Sequence, residues 1–424
     1  MPHGPFLLFT RFLTILILTI ALAAGPTMAA TAKILYTFQG RDDGGRPWAT
    51  LLLDEKTGTL YGTTEVGGVK LCGNDFDFDC GTIFSLTPSP NGWTETVLYR
   101  FQGGDDGANP RAPLVPRPDG YWYSTTSSGG GVQQNGTVFR IQPGTWEEEV
   151  LFSFVGDGGY YPQGKIAFDS SGNLYGITTN GGSGYSGVAY ELIPNPSGSW
   201  TENVLYGNVG LPYAGVVIDP LGNVYGTSDA NGIYNEGSVF ELSPGKSGWQ
   251  FTNIYSFQIA CGIDCGGSQP GDLTLTKSGK LFGFAGDAGI PACGNDQGCG
   301  TIFEMINNGG TWQEKTLYQF QNIADGWGPG YGAPALDSAG NIYGMTGAGG
   351  QYGFGTVFKL SHGKSGWTKT TLYDFPGGAG GWQPYGGVVV DKHGNIFGAT
   401  YYGGKTGGKT CKKQGCGVVF EIMP

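Results

Sequence analysis

Seven copies of one sequence block follow one another along most of this 424-residue chain. In its commonest form the block contains Leu-Tyr-x-Phe, a Gly-rich loop with a Pro, an apolar run ending near an Asp, Gly-Asn-Leu-Tyr-Gly, a variable loop and Gly-Thr-Val-Phe. The last motif supplies one aromatic residue per copy, at Phe84, Phe139, Tyr190, Phe240, Phe303, Phe358 and Phe420. Because repeats of roughly 50 residues build solenoids or propellers, this repeat restricts the fold more than any other feature of the sequence.

Each block contains four segments with the alternation and composition of β-strands. In the first block they are Leu51–Asp54, Thr59–Thr63, Gly81–Leu86 and Thr94–Phe101. No segment between them has the length and period of a helix. Four strands per block are typical of propeller blades, so the sequence predicts an all-β fold, a seven-bladed β-propeller with four antiparallel strands per blade. The repeat boundaries fall near residues 33, 96, 150, 204, 253, 316 and 371.

The two ends of the repeated region complement each other. Lys33–Phe38 has the sequence of a fourth strand, whereas Gly417–Ile422 has the sequence of a third strand. Pairing these segments would remove two exposed sheet edges, which otherwise invite aggregation. We therefore expect the N-terminal strand to join the C-terminal blade and close the ring.

Residues 1–30 have the pattern of a secretory signal peptide. Arg11 gives a positive start, Phe12–Ala24 is apolar but shorter than the about 20 residues that span a bilayer, and small residues allow cleavage near Ala30 or Ala32. We expect residues 31–424 to form a single propeller that is secreted, at the cell surface or in the periplasm. No later stretch is apolar enough to predict a transmembrane segment.

The eight cysteines support export, because they form four close pairs. The pairs are Cys72 with Cys80, Cys261 with Cys265, Cys293 with Cys299, and Cys411 with Cys416. Cys-Gly-Asn-Asp precedes the second cysteine of two pairs, so each pair recurs as a unit and is predicted to bond internally. None has Cys-x-x-Cys spacing, and we predict neither a metal site nor a cofactor.

Charge narrows the possible partners. The net charge of −11 argues against nucleic acid as a ligand. Asp75, Asp77 and Asp79 alternate as in calcium loops, but Cys80 and Leu86 occupy the positions of the usual Gly and bidentate Glu. A solvated acidic loop is the simpler interpretation, and calcium binding there stays open.

The recurring Gly-Asn-Leu-Tyr-Gly and Gly-Thr-Val-Phe motifs resemble the tandem repeat called GloVer, which is found in exported "choice-of-anchor" proteins of bacteria. The resemblance covers about residues 33–424. It implies a location at the cell surface or outside the cell. The family brings no established reaction or ligand, so the residues themselves must indicate function.

A candidate site follows from one variable position in the repeat, the residue before strand 1. The predicted binding residues at this position are Trp48, Arg111, Gln163, Tyr213, Tyr331 and Tyr385, with Gly271 in the fifth copy. If strand 1 is innermost, they surround the mouth of the central channel. Trp327 and Trp382 belong to the same loops. Aromatic rings with polar atoms suit a sugar or a protein partner, although these rings could equally only pack against a neighbouring blade.

The sequence favours a non-enzymatic binding or surface-interaction protein whose ligand is a glycan or a protein. One alternative is a carbohydrate-active hydrolase or lyase that uses loop carboxylates on the same face. The carboxylates available there are Asp43, Asp106, Asp157 and Asp325. A purely structural component of the cell envelope is the other alternative. No catalytic residue can be assigned from the sequence.

Overall fold

The computed structural model describes residue 1 and residues 31–423, except for 69–78, 259–267, 288–292, 294–297, 406–410 and 412. The expected signal peptide, Cys72, Cys261, Cys265, Asp75 and Asp77 therefore lie outside the described residues. The described part of the chain forms seven antiparallel sheets and contains no α-helix. It also contains no helix that is long and apolar enough to cross a membrane.

We number the sheets as blades 1 to 7 in chain order. Blade 1 contains β2 (Leu52–Asp54), β3 (Thr59–Thr64), β4 (Thr82–Ser89) and β5 (Gly92–Arg100). Blade 2 contains β6 (Val115–Pro116), β7 (Trp122–Thr126), β8 (Thr137–Ile141) and β9 (Glu148–Ser153). Blade 3 contains β10 (Tyr160–Pro162), β11 (Ala167–Phe168), β12 (Leu174–Asn180), β13 (Val188–Pro194) and β14 (Trp200–Tyr206).

The next three blades repeat this pattern. Blade 4 contains β15 (Val216–Ile218), β16 (Val224–Ser228), β17 (Ser238–Gly245) and β18 (Gly248–Ser256). Blade 5 contains β19 (Ser268–Pro270), β20 (Thr274–Leu275), β21 (Leu281–Asp287), β22 (Thr301–Asn308) and β23 (Thr311–Gln319). Blade 6 contains β24 (Trp327–Pro329), β25 (Ala335–Leu336), β26 (Ile342–Ala348), β27 (Thr356–Gly363) and β28 (Gly366–Asp374).

Blade 7 joins the two ends of the described chain. It contains β29 (Val389–Val390), β30 (Ile396–Thr400), β31 (Val418–Met423) and, as its outermost strand, β1 (Thr31–Thr37). In the β1–β31 pair Thr31 lies opposite Met423 and Thr37 lies opposite Val418. The N-terminal strand therefore completes the last sheet, as the sequence predicts.

All seven sheets are antiparallel meanders in which neighbouring strands follow each other along the chain, apart from β1. In blades 3, 5 and 6 the first strand is divided into two short segments that pair with the same second strand. The first strand is innermost, because residues just before it or between its two segments line one common cavity in all seven blades. The seven-bladed, four-stranded fold predicted from the repeat is confirmed.

Aromatic residues pack against each other at the joints between blades. The tryptophan in or just before strand 4 packs against the strand 2 aromatic ring of the preceding blade, with ring centroids 6.0 Å apart for Trp146 and Tyr61 and 5.4 Å apart for Trp312 and Tyr225. The same contact joins blade 1 to blade 7, where Trp93 lies 6.2 Å from Phe397. The repeated tryptophans therefore have a packing role in these joints.

Tyr190 breaks the pattern, because the other six blades have Phe at its position. Its side chain is fully buried and its hydroxyl has no hydrogen-bond partner among the described residues. A buried, unpaired polar group costs about 1–3 kcal/mol. We expect Tyr190→Phe to raise the free energy of unfolding by about 1 kcal/mol in urea denaturation. Phe240→Tyr, the reverse change in blade 4, should lower it; a destabilised Tyr190→Phe variant would contradict this account.

Candidate functional site

A backbone position with a positive φ lies in or just before strand 1 in six of the blades. The residue before the Pro that recurs in the repeat has a positive φ of 52–61° in these blades, at Arg46, Asn109, Tyr161, Leu211, Gly328 and Gln383. Five of these six residues are not glycine, and each such residue costs on the order of 1–2 kcal/mol in this conformation. Such strain persists only where surrounding contacts determine the backbone, and functional surfaces often contain it.

Backbone hydrogen bonds to two blades hold this position. The Arg46 N–H donates to the Cys416 carbonyl of blade 7, and the Arg46 carbonyl accepts from the Glu65 N–H of blade 1 at 3.2 Å. Asn109 repeats the arrangement with the Cys80 carbonyl of blade 1 and the Ser127 N–H of blade 2. We call this position, with its two hydrogen bonds, the blade clasp.

Disulfides lie next to three of the clasps. Cys293 bonds to Cys299 and Cys411 bonds to Cys416, as predicted, and Cys80 is also disulfide-bonded. The second cysteines of the pairs, Cys80, Cys299 and Cys416, carry the carbonyls that accept from the clasp residues. Closing loops this short stabilises a fold by only about 2 kcal/mol in the chain-entropy model. Their clearer effect is to fix the loops that position the clasps.

The channel is closed at this face by the backbone just inside the clasps. The cavity on the axis holds about 20 Å³, and seven blades contribute to its lining. A Cβ atom at Gly332 would lie 1.9 Å from the Gly387 nitrogen, and one at Gly164 would lie 2.2 Å from the Ala214 carbonyl oxygen. Small residues are therefore required here because neighbouring chains touch. The surface they form is a floor rather than an open pore.

Asp272 is the exception among these small residues. Its carboxylate accepts a hydrogen bond from the Gly215 N–H of the neighbouring blade 4, and its own N–H donates to the Tyr331 carbonyl of blade 6 at 2.7 Å. Burial raises its pKa, while the Gly215 hydrogen bond and the charge of Lys165 act in the opposite direction. Asp272 thus links three blades across the floor.

Four aromatic rings lie together above one side of the floor. The centroid of the Trp48 ring lies 4.6 Å from that of Tyr385, 6.0 Å from that of Tyr331 and 5.3 Å from that of Tyr401. The Trp48 and Tyr331 rings are stacked, whereas Tyr401 meets Trp48 edge-on. We call Trp48, Tyr331, Tyr385 and Tyr401 the aromatic cluster; they come from blades 1, 6 and 7.

A polar chain continues from the cluster across three blades. The Tyr401 hydroxyl donates to one oxygen of Glu65, and Arg111 donates to the other through Nε at 3.2 Å and through Nη2. Arg111 also donates to the Gln163 side-chain oxygen at 2.7 Å, and its guanidinium lies 5.2 Å from the Trp48 ring centroid. Burial and the Glu65 charge raise the pKa of Tyr401. Glu65 is 7% exposed, and both of its oxygens are occupied.

Two larger cavities flank the floor. The first, of about 460 Å³, is lined mostly by polar residues of blades 1, 2, 3 and 7, and we call it the arginine cavity. Its lining is Arg46, Glu65, Val66, Asn109, Arg111, Ser127, Ser128, Tyr161, Gln163 and Tyr401. The second, of about 260 Å³, is lined by residues of blades 5, 6 and 7 and includes Asp287, Trp327, Tyr331, Gln383 and Tyr385; we call it the tryptophan cavity.

The three cavities share their walls. Arg111 and Gln163 line both the central cavity and the arginine cavity, and Tyr331 and Tyr385 line both the central cavity and the tryptophan cavity. The depressions therefore adjoin one another across the mouth, and we call them together the groove. The aromatic cluster lies between its two halves.

Two carboxyl groups interact beside the tryptophan cavity. Burial and the charge of Asp287 raise the pKa of Asp229 to about 7, and one Asp229 oxygen is buried without a hydrogen-bond partner among the described residues. Burial also raises the pKa of Asp287, although the hydrogen bond from Trp327 acts in the opposite direction. Both charges contribute to raising the pKa of Tyr331 to about 12, after burial. Asp229 therefore exchanges its proton near neutral pH.

The residues predicted before strand 1 gather as the sequence indicates. Trp48, Arg111, Gln163, Tyr213, Tyr331 and Tyr385 all line the central cavity. Tyr213 is 44% exposed. Trp327 lies in the adjoining tryptophan cavity. Their role in binding stays a prediction, because geometry alone does not identify a ligand.

Trp382 is placed differently from the other predicted aromatic residues. Its ring stacks on Tyr402 with centroids 4.6 Å apart, and its indole N–H donates to the Gln414 carbonyl at 3.3 Å. It lines none of the three cavities of the groove. Its contacts are those of a residue that fixes the surrounding loops.

The loop carboxylates suggested by the sequence have local partners. Asp43, Asp106 and Asp325 each accept a hydrogen bond from a tyrosine hydroxyl of the preceding strand, at 2.9, 2.5 and 2.8 Å. Each also accepts from a backbone N–H of its own loop. These carboxylates therefore fix the loops that contain them and do not line the groove. The Asp157 side chain lies outside the described part of the structure.

The sequence pattern of the Gloeobacter/Verrucomicrobia repeat matches residues 74–295 and 212–424, which together cover most of the chain. The chain belongs to the Gloeobacter/Verrucomicrobia repeat family. This confirms the resemblance seen in the motifs. No curated protein matches the sequence.

Some solved structures resemble this Gloeobacter/Verrucomicrobia repeat protein at low identity. A luciferin-regenerating enzyme is 11% identical, covering 93% of this chain and 96% of that one, with a TM-score of 0.43. A Bacteroides fragilis protein provisionally assigned as a 6-phosphogluconolactonase is 16% identical, covering 85% and 98%, with a TM-score of 0.49. A chain of a nidogen/laminin complex is 14% identical, covering 70% of this chain and 91% of that one, with a TM-score of 0.41. Likeness at this level carries no information about ligand or reaction.

Two further positions of the Gloeobacter/Verrucomicrobia repeat vary at the groove, and sequence reasoning missed both. One is the clasp residue, which includes Arg46 and Tyr161. The other is the end of strand 2, occupied by Glu65, Ser127, Thr179, Asp229, Gly286, Gly347 and Tyr401. Both positions vary within a fixed repeat, which is the signal that singled out the residues before strand 1. Applying the same criterion to every position of the repeat would have found them.

Proposed function

We propose that this protein is an exported, glycan-binding β-propeller that holds an extended oligosaccharide in the groove across its channel mouth. The observation that carries the proposal is the aromatic cluster, where Trp48 stacks beside Tyr331 and Tyr385 between two cavities with polar lining. Sugar rings combine apolar faces with equatorial hydroxyls. Flat rings flanked by hydrogen-bonding groups suit both features.

Rigidity supports a binding role for this face. The clasps fix the backbone of each loop to two blades. The disulfides of Cys299 and Cys416 restrain two of the loops whose carbonyls accept hydrogen bonds from clasp residues. A preformed groove binds with a smaller loss of conformational entropy than a flexible one. The signal-peptide pattern and the disulfides support a location outside the cytoplasm.

Replacing Trp48 with alanine should weaken glycan binding by at least about tenfold, because the central stacking surface disappears. Binding is measured on a glycan array and then by calorimetry with the best oligosaccharide from that array. Tyr385→Ala should have a similar effect. The melting temperature of each variant is recorded to separate lost contact from lost folding.

Trp382→Ala provides the matched control. It removes the same type of ring from the same face, but Trp382 packs on Tyr402 outside the groove. We expect its affinity to stay within about threefold of the parent protein. Equal losses in Trp48→Ala and Trp382→Ala, or binding to a protein and to no glycan, would reject the proposal.

A second candidate function, glycoside hydrolysis, is favoured by the Asp229 and Asp287 pair. Glycosidases use a pair of carboxyl groups as acid and base, and the acid has a raised pKa. Asp287 lies in the tryptophan cavity with Tyr331 and Tyr385, and the pKa of Asp229 is raised to about 7 by burial and by Asp287. Oligosaccharides that bind would be incubated with the protein and assayed for new reducing ends. Release that Asp229→Asn and Asp287→Asn both abolish would favour hydrolysis over simple binding.

A further inference from the structure

The arginine cavity contains one more cation than anion. Arg46 and Arg111 both line it, and Glu65 is the one carboxylate in its lining. Glu65 is already bonded to Arg111 and to Tyr401 through its two oxygens. Among the described residues, Arg46 therefore has no carboxylate partner, in a protein whose net charge is −11.

The Arg46 side chain lies against two aromatic rings and pairs with no carboxylate in the described part of the chain. Its guanidinium lies 5.6 Å from the Tyr401 ring centroid and 5.7 Å from that of Tyr402. Its Nε atom is buried and has no hydrogen-bond partner, and the described residues offer its other nitrogens none either. A buried donor without a partner is costly, which makes the guanidinium a favourable place for an anion.

Most other polar groups of the cavity are occupied. The Asn109 amide donates to the Glu65 and Asp79 carbonyls, and the Ser127 and Ser128 hydroxyls donate to Asn109. Arg46 and Tyr161 are the lining side chains whose donors have no partner in the described structure. Both are clasp residues at positive φ, and Tyr161 is 43% exposed at the rim.

We propose that the arginine cavity binds the carboxylate of a uronic acid residue, so that the glycan held in the groove is an acidic one. This inference rests on the proposed function. The planar guanidinium of Arg46 offers two parallel donors that match the two oxygens of a carboxylate, and Tyr161 adds a hydroxyl donor. The cavity of about 460 Å³ is large enough for a sugar residue.

The opposite end of the groove has the reverse charge, which gives the glycan a direction. Asp287 lines the tryptophan cavity, and no Lys, Arg or His is among the residues of its lining. An anionic sugar placed there would be repelled. The acidic residue therefore occupies the arginine cavity, a central sugar covers the aromatic cluster, and a neutral sugar extends toward Trp327.

The test uses the mature chain on an array of oligogalacturonates, oligoglucuronates and alginate oligosaccharides, each printed beside its methyl ester and a sulfated counterpart. We expect the free acids to bind at least about tenfold more tightly than their esters. Added NaCl should weaken the binding of the free acids, because salt screens the attraction between charges. Equal binding of acids and esters would overturn this inference and leave glycan binding intact. Preference for the sulfated forms would overturn the choice of a carboxylate, and binding to no glycan would overturn both proposals.

Variants of Arg46 test whether its guanidinium causes the preference for free acids over esters. Arg46→Gln should lose the preference for the free acid in calorimetry with the best uronate oligosaccharide, while its affinity for the methyl ester stays unchanged. Arg46→Gly should do the same without a lower melting temperature, because glycine adopts the φ of 55° at this position without strain. Arg41→Gln is the control, since it removes an exposed arginine from the same loop. A preference that survives in Arg46→Gln, or that is lost in Arg41→Gln, would refute the assignment.

Discussion

Replacing Phe38 with alanine should lower the free energy of unfolding by about 3–5 kcal/mol. Phe38 directly follows the N-terminal strand and is fully buried. Its N–H donates to the Gly417 carbonyl of blade 7 at 3.1 Å, and its ring lies 5.1 Å from that of Phe84 in blade 1. It therefore fills the joint at which the two ends of the chain meet. The measurement is denaturant unfolding followed by tryptophan fluorescence.

Phe101→Ala is the matched variant for this experiment. Phe101 is also fully buried, its N–H donates to the Gly81 carbonyl at 3.2 Å, and its ring lies 5.2 Å from that of Phe139 in the next blade. If the N-terminal strand is held as firmly as the others, the two variants should lose equal stability within about 1 kcal/mol. A loss at Phe38 much smaller than that at Phe101 would mean that the ring opens easily at this joint.

Stability should fall as the pH rises from 5 to 8. Burial raises the pKa of Glu95, Glu202 and Asp229 to about 7, and raises that of Glu148 above its usual range. In the unfolded chain these carboxyls titrate near pH 4, so the folded protein holds their protons more tightly. The resulting stabilisation is complete below about pH 4 and is lost as the pH rises through 7.

The size of this effect follows from the pKa differences. Each unit of difference is worth about 1.4 kcal/mol, although solvent reduces the contribution of all four of these partly exposed carboxyls. We expect the free energy of unfolding to drop by several kcal/mol between pH 5 and pH 8, measured by denaturant unfolding at each pH.

Neutral variants identify the groups responsible for the pH dependence. Glu202 and Asp229 each have a buried carboxylate oxygen without a hydrogen-bond partner among the described residues. Glu202→Gln combined with Asp229→Asn should raise stability at pH 8 and flatten the profile. Glu55→Gln, at an exposed position, should leave the profile unchanged. A steep profile that persists in the double variant would show that other groups cause it.

The blades could be predicted from the sequence because local patterns determine them. Alternation, turn residues and the period of the repeat specify each four-stranded sheet without reference to distant parts of the chain. The position of the residues before strand 1 followed from the same periodicity. Trp48 and Arg111 therefore gather at the mouth as the sequence indicates.

The chemistry of the groove could not be predicted in the same way. It depends on contacts between residues far apart in sequence, such as Glu65 with Arg111, 46 positions away, and with Tyr401, 336 positions away. It also depends on the positive φ of Arg46 and Tyr161, since a non-glycine residue before a Pro gives no sign of that conformation in sequence. Candidate acids such as Asp43 and Asp106 were assigned by loop position alone, which does not reveal their tyrosine partners.

The blade clasp separates the architecture of the molecule from its selectivity. At the clasps the main chain makes bonds between blades, for example from Arg46 to Cys416 and from Leu211 to Ser186, so the side chain there can change. Asn109 is an exception, because its side-chain amide also donates to carbonyls of blade 1. Exchange of one blade through recombination would replace one side chain that contacts the ligand, together with the backbone that orients it. Proteins built this way can change their ligand specificity one blade at a time while the seven-bladed fold stays the same.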